Sequence, residues 1–339
     1  MRFAAIGLDH AHIVDHVRGL RAAGADCAGY DPETTDSGVL ASFREEFPDI
    51  PAVPREALLD DDSIAVICTA AVPRDRVPLA IEAMRRGKDM MVDKPGCVSF
   101  GQLEDIRRAV AETGRIFSVC FSERHCVPAA VLAGKMVADG AIGEVVQTVG
   151  LGPHRLKRPA RPAWFFERAA YGGILNDIAS HQIDQFLFYT GSTTAEVVAS
   201  SVGNFANPAD AEFEDFGELL MRSGTASGFM RVDWYTPDSL PVWGDGRLTI
   251  LGTKGYIELR KYIDIAGRPG GNHLFIADGR ETRHVDAGSE PLDYFTRFIA
   301  DVRDRTETAM TQHHVFETTR LALEAQRRAV RLAPAGGRS

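Results

Sequence analysis

The first 122 residues alternate strand-like and helix-like segments, and this alternation constrains the fold more than any other feature of the chain. "RFAAIGL" and "SIAVICTA" are apolar runs of the kind buried on both faces of a sheet. "ADCAGYD" and "KDMMVDKPG" read as strands with their exit turns, and "RIFSVCFS" as a fifth strand. Between them lie helical stretches. "HIVDHVRGLRAAG" ends at Gly24, "TDSGVLASFREEF" follows, "PRDRVPLAIEAMRRG" starts near a proline, and "SFGQLEDIRRAVAETG" has a serine cap and a closing Gly114. Such alternation implies an α/β fold with a doubly wound parallel sheet.

Residues 123–332 have a different texture. A helix at "AAVLAGKMVADGAIG" and a single helix around Gly173 to Tyr189 precede closely spaced strands with no helices between them. "AEVVASSVGNF", "EDFGELLMRSG", "TASGFMRVDWY", "RLTILGTKGYIELRK" and "HLFIADG" suggest an antiparallel sheet in an α+β domain. Amphipathic helices at "LDYFTRFIADVRDR" and "HHVFETTRLALEAQRRAVRL" follow, and 333–339, "APAGGRS", reads as a loose tail. A chain of 339 residues exceeds one comfortable core, so two domains are expected, 1–122 and 123–332.

Charge and cysteine usage narrow the function classes. The net charge of −9 repels phosphate backbones, so nucleic acid is not an expected partner. No apolar run is long enough to span a bilayer, and the first strand is too short for a signal peptide. Cys27, Cys68, Cys97, Cys120 and Cys126 form no C-x-x-C pair. Reduced, mostly buried thiols in a cytoplasm are expected.

The turn after the first strand is "IGLDHAHIVDH". A dinucleotide loop needs G-x-G-x-x-G there. Gly7 holds the first place, Asp9 the second and His12 the third, so only the turn glycine remains. A carboxylate at the second place repels pyrophosphate unless it turns away, and capping of the helix start is the expected use of Asp9. A helix N-terminus still offers N–H groups to an anion. Asp31, 24 positions after Gly7, ends the second strand where an acid can bind ribose hydroxyls and disfavour a 2′-phosphate, which implies NAD over NADP. Thr69, at the end of the third strand, joins the candidate cofactor contacts. His10 and His12 make an H-x-H, and His16 follows one helical turn after His12. Packing of the helix start is the first reading of these histidines. Pyrophosphate or nicotinamide contact is the second, and metal ligation the third, because the sequence completes no ligand set. No metal is therefore expected.

Two further stretches can carry chemistry. In "VDKPG", Lys94 stands just past a strand end, where it can bind a substrate hydroxyl, and Pro95 restrains the backbone that aims it. In "YGGILNDIASHQIDQF", Asp177 and His181 are one helical turn apart and share a face, with Asp184 three residues on. A histidine and an aspartate together can move a proton on and off a hydroxyl. Arg124 with His125, and Trp164, are candidate substrate contacts. His154, Arg155, Lys157 and Arg158 make a basic loop.

Taken together, these stretches resemble the glucose–fructose oxidoreductase, inositol dehydrogenase and rhizopine-catabolism family, Gfo/Idh/MocA. "DKPGCVS" is similar to its E-K-P segment, with Asp93 for glutamate. "GGILNDIASHQIDQF" is similar to its G-G-x-L-x-D-x-x-x-H-x-x-D helix, and "GKMVADGAIGEV" and "LTILGTKGYIEL" to two further family stretches. The resemblance implies an N-terminal Rossmann domain and a C-terminal domain with a large open sheet. That sheet is commonly a subunit interface, so a homodimer or homotetramer is implied. It also implies NAD or NADP and hydride transfer at a secondary alcohol of a sugar, cyclitol or derivative. By the same resemblance Lys94 holds the reacting hydroxyl, His181 exchanges its proton, and Asp177 binds a neighbouring hydroxyl and tunes His181. Lys94 and Pro95 also border the cofactor. The chain departs from the family in its reduced glycine loop and at Arg76, near which the family usually carries a histidine. Arg76 reads as a helix surface charge. Two alternatives stay open: NAD-dependent glycosidase-type chemistry on the same fold, and a non-catalytic binding protein with a degenerate loop.

Overall fold

The structure is a computed structural model, and it describes residues 1–333. The chain forms two compact units. The first comprises Met1–Cys120, Pro162–Gly172 and Asp293–Thr319, and the second comprises Phe121–Arg161, Gly173–Leu292 and the chain from Arg320 on. This differs from a contiguous division near residue 122, because two later stretches return to the first unit. Side chains far apart in sequence tie them there. Gln312 Oε1 accepts from Phe117 N at 3.0 Å, Ser118 Oγ and Tyr294 OH lie 2.9 Å apart, and Arg305 Nη1 donates to Asp89 Oδ1 at 2.8 Å. Apart from Ala333, the tail expected at 333–339 lies outside the described residues.

In the first unit five parallel strands, β1 (Arg2–Ala5), β2 (Asp26–Tyr30), β3 (Ile64–Thr69), β4 (Asp89–Asp93) and β5 (Phe117–Cys120), stand in the order β2-β1-β3-β4-β5. Helices α1 (His12–Ala22), α2 (Ser37–Glu46), α3 (Arg55–Asp60), α4 (Arg76–Arg85) and α5 (Phe100–Thr113) connect them. Local chemistry sets their ends. Asp36 accepts from the N–H groups of Gly38 and Val39 to cap α2, Ser99 accepts from Gln102 N to cap α5, and left-handed Gly114 closes α5. The chain leaves β1 toward β2 on one side and returns to β3 on the other. The carboxyl ends of β1, β3 and β4 therefore border the point where strand order reverses, the place where open α/β sheets bind ligands.

In the second unit, α6 (Ser122–His125), α7 (Pro128–Ala138), α9 (Ile174–Asp177) and α10 (Ala179–Thr190) accompany nine strands; α8 (Arg168–Tyr171) and α11 (Tyr294–Asp304) belong to the first unit, and α12 (Gln312–Arg328) is divided between the two at Thr319. The strands are β6 (Val145–Pro153), β7 (Glu196–Gly203), β8 (Phe216–Arg222), β9 (Ser227–Asp233), β10 (Arg247–Gly252), β11 (Gly255–Arg260), β12 (His273–Asp278), β13 (Thr282–Asp286) and β14 (Val330–Leu332). They form one sheet in the order β13-β12-β11-β10-β6-β9-β8-β7-β14. It is antiparallel except at β6–β9 and β7–β14. Its inner face alternates strictly: Leu248, Ile250, Ile257, Leu259, Leu274 and Ile276 pack with Ala129, Ala130 and Ala133 of α7.

All five cysteines are free thiols, four of them buried. Among the described residues no helix is long and apolar enough to cross a membrane.

Candidate functional site

Gly7 turns the chain out of β1 with φ +76°, and a Cβ there would lie 2.5 Å from Ala71 Cβ and 2.9 Å from Thr69 Oγ1. The turn therefore needs glycine for its backbone and for its packing. Thr69 is buried and accepts from Ala71 N at 3.1 Å, so it braces the neighbouring loop.

Asp9 does not cap α1. The residue at that position is Ala11, with no side-chain cap bond. Asp9 points instead to the loop after β2, where its Oδ1 accepts from Thr35 N at 2.6 Å, Thr35 Oγ1 at 2.7 Å and Thr34 Oγ1 at 3.1 Å. The charge that would repel a pyrophosphate is thus committed elsewhere. Asp31 is buried beyond β2 and accepts from Glu33 N at 3.2 Å; burial raises its pKa.

Asp93 gathers the polar groups of the first unit. His12 Nδ1 lies 2.9 Å from its Oδ1, His10 Nδ1 3.7 Å from its Oδ2, and His16 Nε2 3.8 Å from Oδ1. Arg76 is not a surface charge. It is fully buried, and it donates to Asp93 Oδ2 at 3.1 Å, Asp93 O at 2.7 Å, Pro95 O at 3.0 Å and Ala71 O at 2.8 Å. One guanidinium thus holds both ends of the Asp93–Pro95 turn that carries Lys94. The Lys94–Pro95 peptide is cis, and Lys94 is buried, with 5% of its surface exposed. Burial pushes the Asp93 carboxyl up, but His12, Arg76 and His10 outweigh that and hold it well below the usual carboxylate range. Burial lowers the His16 pKa to about 4, so this imidazole is neutral at neutral pH.

The second unit holds a separate cluster. Asp177 and His181 do not share one regular helix. The helix breaks at Ile178 between α9 and α10, His181 N donates to Ile178 O at 3.1 Å, and Ser180 Oγ donates to Asp177 O at 3.0 Å. Both residues are buried, and the His181 ring lies edge-on to Phe121 at 6.3 Å. Near His181 stands Glu123, which sequence reasoning passed over. Its Oε2 accepts from Lys261 Nζ at 2.6 Å and Gln182 Nε2 at 3.0 Å, and Lys261 also donates to Gln185 Oε1 at 2.8 Å. Burial pushes Glu123 up, but Lys261, with smaller help from His181 and His154, lowers its pKa to about 2. Glu123 is therefore a buried anion. A charged residue inside a four-residue helix is a weak signal, and its partner lies 138 positions away.

The other sequence candidates have neighbours within their own units. Arg124 makes two 2.7 Å bonds to Asp184 and lies 4.5 Å over the Phe188 ring, joining α6 to α10. Trp164 is buried in the first unit beside Phe165, with no hydrogen-bond partner for its Nε1 among the described residues. The basic loop is engaged: Arg158 pairs with Asp210 at 2.7 Å, and Arg155 donates to Pro237 O at 2.8 Å.

Comparison with known proteins assigns this arrangement to a class. Residues 28–121 match the oxidoreductase family with an NAD-binding Rossmann fold, and residues 131–258 match the GFO/IDH/MocA C-terminal domain. The chain belongs to the Gfo/Idh/MocA oxidoreductase family. A crystal structure of a presumed oxidoreductase from Erwinia carotovora atroseptica SCRI1043 is 47% identical, with a TM-score of 0.94, over 98% of this chain and 100% of that one. Levoglucosan dehydrogenase of Pseudarthrobacter phenanthrenivorans is 30% identical over 142 residues, 41% of this chain but only 36% of that enzyme. The NAD-dependent scyllo-inositol 2-dehydrogenase of Bacillus subtilis strain 168 is 26% identical over 71% of this chain and 69% of its own length.

Proposed function

We propose that the protein is an NAD-dependent dehydrogenase or reductase. It would interconvert a secondary alcohol of a sugar, cyclitol or related polyol and the corresponding ketone. The observation that carries this reading is Lys94: a buried lysine at the carboxyl end of β4, its turn held by the Arg76 bonds to Asp93 O and Pro95 O. The residues fit a dinucleotide. Asp9 faces Thr34 and Thr35, and Asp31 stands where a ribose would be read. Gly7, Asp31, Lys94 and Pro95 would hold the cofactor, and Asp31 would repel the 2′-phosphate of NADP. When bound, the cofactor supplies the hydride acceptor or donor. The chain supplies the rest. Lys94 donates to the reacting oxygen, His181 takes or returns its proton, and Asp177 orients a neighbouring hydroxyl. The substrate class follows the levoglucosan and scyllo-inositol enzymes. The same reading places the protein in a reducing cytoplasm as a homo-oligomer.

Calorimetric titration of cofactor-free protein with NAD(H) and NADP(H), followed by a screen of inositols, anhydrosugars and sugar acids for NADH production, tests this reading. NAD is expected to bind more tightly than NADP. His181→Ala is expected to lower kcat by about 10²- to 10⁴-fold, and Lys94→Ala by a comparable factor. Turnover unchanged by both substitutions would refute it.

A further inference from the structure

We infer that His10, His12 and Asp93 form a binding site for a divalent transition-metal ion, with coordination positions left open to solvent. The sequence shows only the H-x-H, and the structure adds its third member. Strands β1 and β4 both neighbour β3, so the turn after β1 and the end of β4 meet above the same strand. One ligand atom from each residue lies within 4.8 Å of the other two. Atoms bound to one Zn²⁺ at about 2.0–2.2 Å stand roughly 3–3.5 Å apart. The His12 Nδ1–Asp93 Oδ1 separation of 2.9 Å is close to that spacing; His10 Nδ1, which accepts from His12 N at 3.3 Å, stands 3.7 Å from the other oxygen, Oδ2, and would turn to Oδ1 as the ion replaced that bond.

A simple ion pair does not account for the cluster. Arg76 already supplies the counter-charge for Asp93, at 3.1 Å from Oδ2. A paired carboxylate needs no imidazole, yet three converge on this one. Arg76 resembles an outer-shell partner: it fixes the carboxylate by Oδ2 and turns Oδ1 to His12. The acid is anchored, with 2% of its side chain exposed, whereas His10 and His12 are 17% and 34% exposed, so an ion can enter from the histidine side. Two imidazoles and one carboxylate suit Zn²⁺, Co²⁺, Ni²⁺, Mn²⁺ or Fe²⁺ rather than Ca²⁺ or Mg²⁺. Three protein ligands leave room for a water or another oxygen ligand, as open metal sites do. The site does not depend on the dehydrogenase reading, and it assigns His10 and His12 to a metal in place of a pyrophosphate.

The test uses full-length protein without an affinity tag, dialysed against chelator and titrated with Zn²⁺ by calorimetry, with metal content measured after gel filtration. One Zn²⁺ per chain is expected. His10→Ala and His12→Ala should each weaken binding at least tenfold. His284→Ala is the control, because His273 Nδ1 and His284 Nε2 form another close imidazole pair, 3.0 Å apart. That variant should bind like the wild type. No stoichiometric uptake, or uptake lost in His284→Ala and kept in His12→Ala, overturns the site. Should the histidine variants fail to fold, Co²⁺ added to the wild type and to His284→Ala decides: visible d–d bands in both support the site, and their absence from either refutes it. NAD(H) titration of the same metal-free protein separates the two readings. NAD binding without metal uptake refutes the metal site alone, and metal uptake without NAD binding refutes the dehydrogenase alone.

Discussion

At the scale of single residues, Glu123 shows what a buried charge requires. Lys261 and Gln182 satisfy its Oε2, while Oε1 is buried with no hydrogen-bond partner among the described residues. Removing Lys261 leaves an uncompensated anion, so Lys261→Met should lower the unfolding free energy by about 3–5 kcal/mol. Adding Glu123→Gln to Lys261→Met should recover much of that loss, because no charge is then left unpaired. The pH dependence has a definite sign. The carboxyl is held near pKa 2 in the folded chain against an ordinary 4.5. Its contribution is therefore full above about pH 4.5 and fades as pH falls toward about 2. Urea denaturation across that range should show a steeper acid loss for the wild type than for Glu123→Gln. Equal slopes would mean that the pair does not carry the charge. Arg76 and Asp9 make a related point about what local sequence conceals. Both looked like surface or capping residues, because helix spacing and loop position speak only of neighbours. Their partners, Asp93 and the Thr34–Thr35 pair, lie 17 and about 25 positions away.

At the scale of elements, the first sheet was legible because its strands are apolar runs punctuated by glycine and proline, a pattern that burial on both faces imposes. The segments that escaped have no such pattern. β13 is almost wholly exposed, β14 has three residues, and α3 has six. The single helix read from Gly173 to Tyr189 is two helices, since apolar spacing does not register one tightened turn at Ile178. The contact of α10 with the sheet was equally hidden. Gly150 and Gly152 of β6 face it, and a Cβ at Gly150 would come within 2.8 Å of Gln182 Cγ, one at Gly152 within 2.9 Å of Gln182 Nε2. The missing side chains let α10 sit close enough for Gln182 to reach Glu123 and set the height of His181. Gly150→Val should therefore cost about 1–3 kcal/mol by overpacking and lower kcat as well. Gly224→Ala, at a position with nothing within 4 Å, should stay within about 0.5 kcal/mol of the wild type. Thermal denaturation and steady-state kinetics of the two variants check this. A Gly150→Val protein as stable and active as the wild type would show that α10 has slack.

At the scale of the whole molecule, the two faces of the nine-stranded sheet differ. The inner face packs on α7 and α10. The outer face carries Phe229, Leu251 and Tyr256, all exposed. Register places them together: Phe229 lies beside Val149, Val149 beside Thr249, and Leu251 opposite Tyr256. The homo-oligomer proposed above would cover this patch of large apolar side chains, and a patch of this kind is seldom left to water. A closed two-fold pairing would also bury the same residues on both copies. Light scattering coupled to gel filtration should therefore give a mass of at least twice 37.0 kDa for the wild type. Leu251→Asp with Tyr256→Asp should reduce it to one chain while circular dichroism stays unchanged, since neither side chain belongs to the inner core. A wild-type protein that runs as a single chain at micromolar concentration would remove the sheet face from consideration. A double variant that still assembles would move the interface elsewhere.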